Sequence, residues 1–119
     1  MTVIAMNVGR GDFLFHRGSY ERVGVQWKED KRDGNGFAPV DLSKWKIELE
    51  LSCASFGNME VVYRAQGAGY SCGAAVVVIP ADAFTGDSFK IYSNGEWRIF
   101  GTSPHGQKEL LGWGHYQIV

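Results

Sequence analysis

The sequence predicts an all-β fold, an antiparallel sandwich or small barrel of about seven or eight short strands. Three observations lead there. Over residues 44–53 the chain alternates strictly, with Trp45, Ile47, Leu49, Leu51 and Cys53 on one face and Lys44, Lys46, Glu48, Glu50 and Ser52 on the other. That is period two, the mark of a strand with one buried face. Glycine supplies 16 of 119 residues and proline only 3; abundant glycine spread along the chain suits many tight turns between short strands. No stretch of ten or more residues carries a helical period, so the class is all-β.

Each element has its own local reason. Gly11-Asp12 is turn chemistry ahead of the apolar run Phe13-Leu14-Phe15. Val23, Val25 and Trp27 alternate with Arg22, Gly24, Gln26 and Lys28, which predicts a strand over 20–29. The charged run that follows ends in Asp33-Gly34-Asn35-Gly36 and reads as an exposed loop. After the long strand over 44–53, Phe56-Gly57-Asn58 turns the chain into a strand over 59–65. Residues 74–79 are a continuous apolar run, a strand covered on both faces. Pro80-Ala81-Asp82-Ala83-Phe84 suits a single helical turn. Residues 89–92 then read as a strand, Ser93-Asn94-Gly95 as a type I′ hairpin turn, and 97–101 as the return strand. Pro104-His105-Gly106 turns the chain into a last strand over 108–118.

Composition bounds what such a domain does. The length suits one domain over residues 1–119, and 45% apolar with 21% charged residues is ordinary globular usage. Twelve basic against thirteen acidic residues leave a net charge of −1. That balance provides no electrostatic basis for nucleic-acid binding. No apolar run approaches the length of a membrane span, and the opening residues lack the pattern of an export signal. Cys53 and Cys72 are therefore expected as two free, buried thiols. Charge is uneven: residues 61–119 hold only 4 basic and 4 acidic residues but 9 of the 16 aromatics.

The search for chemistry returns no constellation. His16, His105 and His115 stand apart from any second ligand, so neither a metal nor a cofactor is expected. No nucleophile motif or phosphate loop is present, and the chain does not read as an enzyme. Glu48 and Glu50 share a strand face with Lys44 and Lys46, where ordinary surface ion pairing is expected. Arg10-Gly11-Asp12 is the tripeptide that integrins bind, yet here it reads as a turn before a strand. Trp27 and Trp45 fall in phase with core faces, while Trp113, between Gly112 and Gly114, reads as an exposed aromatic.

The order of these elements resembles a known group. Arg10-Gly11-Asp12 leads into an apolar strand. A charged loop then ends in Pro39-Val40-Asp41-Leu42-Ser43-Lys44-Trp45. The chain closes with Asn94-Gly95-Glu96-Trp97-Arg98-Ile99 and Leu110-Leu111-Gly112-Trp113-Gly114-His115-Tyr116-Gln117-Ile118. This is similar to the small immunoglobulin-like β-sandwich domains of tailed-phage virions, such as the N-terminal domain of baseplate upper proteins and small tail proteins of actinobacterial phages. Lys44 stands where glycine is usual in that group. The resemblance implies an immunoglobulin-like antiparallel sandwich and a structural role in the virion, in the tail or host-attachment apparatus, with no catalytic residues. A capsid-surface decoration protein is the alternative within that class. From another class, a free-standing carbohydrate-binding module would stack sugars on Trp113 and Tyr116.

Partners are then expected to be other virion proteins or further copies of this chain, with no small-molecule ligand. The last strand is the expected contact: Gly-rich and aromatic, with charges only at Lys108 and Glu109, it reads as an unguarded sheet edge. Trp113, His115 and Tyr116 are the interface candidates.

Overall fold

The alternation of 44–53 becomes the central strand of one large sheet. The structure, a computed structural model, describes residues 9–30, 34, 36–55 and 58–119. Its strands are β1 (Gly9–Arg10), β2 (Phe13–Phe15), β3 (Glu21–Gln26), β4 (Lys28–Asp30), β5 (Phe37–Pro39), β6 (Lys46–Ser55), β7 (Asn58–Gly69), β8 (Ala74–Ile79), β9 (Asn94–Thr102) and β10 (Lys108–Ile118). The large sheet runs β1-β10-β9-β6-β7-β8-β3, with β2 also on β10; β4 and β5 form a separate two-stranded ribbon. β3, at one end of this order, comes back into contact with β10 near the other end. The architecture is thus all-β, a mixed sheet curled nearly into a barrel.

Register follows from burial. Ile47, Leu49 and Leu51 are all at or below 3% exposure. A one-residue slip of β6 would turn all three to water, at a cost of roughly 5–9 kcal/mol. Facing strands add Ala75, Val77 and Ile79 from β8, Trp97 and Ile99 from β9, and Leu111, Tyr116 and Ile118 from β10. Phe15 of β2 closes the core, and Phe13 stacks on Trp97 with ring centroids 4.1 Å apart. Trp27 is buried as expected; Trp45 is only half-buried, edge-on to Trp27 at 5.6 Å. Just ahead of β6, hydrogen bonding from the Ser43 hydroxyl and backbone N–H holds the Asp41 carboxyl below its ordinary range.

Two irregularities shape the sheet. Between β10 and β9 the register shifts at Leu110/Gly112, so Leu111 is the extra residue, and it is fully buried. Between β6 and β7 it shifts at Leu51/Ser52, leaving Val62 of β7 extra and Leu51, Ser52 and Cys53 all buried. Both are bulges, which bend a strand and re-aim its side chains.

Several expectations change on contact with the structure. The strand expected over 20–29 is broken at Trp27, which separates β3 from β4. Residues 89–92 are not a strand: Asp87–Lys90 is a short 3₁₀ turn. Asn94-Gly95 is not a hairpin turn but the start of β9, opposite Gln117 and Tyr116. Glycine is needed at 95 because a Cβ there would overlap the Ser52 carbonyl and crowd the Tyr116 ring. Pro104-His105-Gly106 does turn β9 into β10, with Gly106 at φ +84°. Pro80 to Phe84 makes the expected turn, in which Ala83 N–H donates to the Pro80 carbonyl at 3.1 Å. The turns expected at Asp33 and Asn35 and at Phe56-Gly57 lie outside the described residues.

Candidate functional site

The outer face of the sheet is laid out by register. Gln66, Glu48 and Phe100 form one row across β7, β6 and β9. Lys46, Thr102 and Lys108 form the next across β6, β9 and β10. These six side chains line a concavity of about 550 Å³. The Lys108 Nζ sits 4.2 Å from the Phe100 ring centroid. The ion pairing expected here does not form. Glu50 pairs instead with Arg64 of β7, at 3.7 Å, while Lys46, Glu48 and Gln66 have no side-chain partner among the described residues. The hairpin register decides this, because it brings Arg64, not a lysine, opposite Glu50.

The three interface candidates on β10 separate. Tyr116 is only 2% exposed, and its hydroxyl donates to the Tyr92 carbonyl at 3.2 Å. Burial, with a smaller contribution from Cys53, pushes its phenol up to about 12. It is a core residue, which corrects its place among the contacts and as a sugar-stacking residue: the Leu110/Gly112 bulge shifts the phase, and Tyr116 points inward with Ile118. His115 is exposed, and Trp113 is half-buried beside it, ring centroids 6.4 Å apart. The premise of an unguarded edge is also corrected. β10 has β9 on one side and β1 and β2 on the other, paired in parallel from Gly9↔Gly112 to Phe15↔Ile118. Hydrophobic burial of Phe13 and Phe15 holds the first strands there.

The Arg10-Gly11-Asp12 segment serves this attachment. The Gly11 carbonyl accepts from Trp97 Nε1 at 2.8 Å. Asp12 Oδ1 accepts from the His115 backbone N–H at 3.2 Å, with the His115 Nδ1 at 3.7 Å. Gly114 lies directly beneath, where any Cβ would overlap the Gly11 carbonyl. The tripeptide is a kink between β1 and β2, as turn chemistry predicts.

An open edge lies elsewhere, with no signal in local sequence. β7 is 12 residues long and pairs with β6 along its length, but with β8 only through Gly67, Ala68 and Gly69. Among the described residues, 58–66 therefore have no strand on their other side. Met59 and Val61 are exposed there, at 49% and 39%. Glu60, Arg64 and the Val62 bulge interrupt the edge, the usual means of preventing indiscriminate strand pairing.

Cys53 and Cys72 are free; Cys53 is buried, whereas Cys72 is exposed, in the turn between β7 and β8. Among the described residues no three His, Cys, Asp or Glu side chains gather where they could hold a metal ion. No helix is long and apolar enough to cross a membrane among the described residues. No family model and no curated protein matches the chain.

Proposed function

We propose that this protein is a structural component of a bacteriophage virion, in the tail or host-attachment apparatus, and acts through protein–protein contacts. In this reading its curled sheet is a variant of the immunoglobulin-like sandwich found in small tail proteins. The sequence resemblance supports the class: its motifs fall at the β1–β2 kink, the turn into β6, and the central strands β9 and β10.

The observation that carries the contact role is the β7 edge. Residues 58–66 offer backbone with no strand partner on that side among the described residues, beside exposed Met59 and Val61, the elements of recognition by strand addition. A near-neutral chain has no long-range attraction to rely on, so such short-range contacts must suffice. His115 and Trp113 are a second, smaller candidate patch on the outer face of β10. Mass spectrometry of gradient-purified particles tests the proposal. The chain should appear at a fixed copy number per particle; its removal by high-salt washing and banding would count against a structural role.

A further inference from the structure

We propose that the groove across β6 and β9 binds an acidic saccharide. The inference is independent of the virion reading, because it rests on the groove alone.

The polar groups of this groove are left unused by the fold. Glu48, Gln66 and Lys46 make no side-chain hydrogen bond or ion pair among the described residues, although Glu50 and Arg98, one row along the same face, are both paired. A carboxylate offers only acceptors, an amide offers both donors and acceptors, and an ammonium offers only donors. Glu48, Gln66 and Thr102 can therefore meet ring hydroxyls, which donate and accept, better than they could meet an apolar ligand. Phe100 stands in the same row as Glu48 and Gln66, with the Lys108 Nζ 4.2 Å from its ring centroid; a pyranose would lay its C–H face on this ring by displacing that ammonium towards the ligand's carboxylate.

Charge narrows the class. Lys46 and Lys108 flank Thr102 from β6 and β10. Two strand spacings put their backbones about 10 Å apart. A ring lying between them with a carboxylate substituent would offset two ammoniums that have no carboxylate partner of their own among the described residues. Glu48 is the single acid in the groove and disfavours a dense anion such as a phosphate cluster more than carboxylates spaced one per ring. All six side chains stand on paired strands, so the backbone frame of the groove exists before the ligand arrives. At about 550 Å³ it lies within the ordinary range of ligand pockets.

The test uses the full chain, trigalacturonic acid as probe and maltotriose as the neutral comparison. Amide chemical shifts should move at Gln66, Phe100, Thr102 and Lys108 on adding trigalacturonic acid. Phe100→Ala and Lys108→Ala, both on the outer face, should each weaken binding about tenfold, and Lys108→Ala, at an exposed position, should do so without lowering the melting temperature. Raising salt from about 50 mM to 500 mM should weaken it further. Shifts confined to another face, no shifts at about 10 mM probe, or equal binding of maltotriose would each overturn the proposal.

Discussion

Trp97 and Trp27 are both buried, yet their indole N–H groups meet opposite fates. Trp97 Nε1 donates to the Gly11 carbonyl, whereas Trp27 Nε1 is buried with no hydrogen-bond partner among the described residues. A buried donor without a partner is a standing cost, about 1–3 kcal/mol. Trp27→Phe loses ring volume but also removes that cost; Trp97→Phe loses ring volume and orphans a carbonyl. Urea unfolding should find Trp97→Phe more destabilising by about 1–2 kcal/mol; equal losses would show that the Trp97 bond contributes nothing. Tyr116 offers a pH readout. Its phenol is raised to about 12 against 10 in the unfolded chain, so the folded state holds its proton more tightly. That stability is fully present below pH 10 and lost as pH rises towards 12. In Tyr116→Phe the decline in stability over that window should be shallower, and an unchanged slope in alkaline denaturation would assign it to other groups. Of these residues, Trp27 was legible from its phase in an alternating strand. Trp97 was not, because Asn94-Gly95 just before it bears the local signature of a turn. The requirement at Gly95 comes from Ser52 and Tyr116, far away in sequence.

Pairing between distant segments governs the elements too. β6 alternates cleanly and its inward face is evident in the sequence as far as Cys53; what the alternation does not show is the burial of Ser52, beside the β7 bulge at Val62. β10 looks like an edge when read alone, since nothing local reveals that residues 9–15 run parallel to it. Its bulge at Leu111 likewise reverses the phase between Leu110 and Tyr116 and hides the burial of Tyr116. The attachment of β1 and β2 depends on close approach at Gly114. Gly114→Ala would push Gly11 away, breaking the Trp97 bond and separating Phe13 from its stacking partner. A loss of about 2–4 kcal/mol, with faster exchange of amides in residues 13–15, is expected. A crystal structure of that variant with the Trp97–Gly11 bond intact would contradict the close-packing argument.

For the whole molecule, the uneven charge has a structural account. Residues 61–119 supply β9 and β10, which have strands on both edges, and β8, which is buried along one face. Much of the low charge of that half is thus spent within the core, and the surface available for contacts is narrower than composition alone suggests. What stands out instead is the length of β7 that outruns β8. That this stretch has no second strand among the described residues is legible only from topology, because residues 58–66 alternate no differently from a strand with two neighbours. The direct measurement is hydrogen–deuterium exchange of residues 58–66, in the free chain and in assembled particles. The outward amides of this stretch should exchange rapidly in the free chain and become strongly protected in the particle, while those of β6 and β9 stay protected in both. Equal, rapid exchange of residues 58–66 in particle and free chain would contradict the claim that this edge is the contact surface.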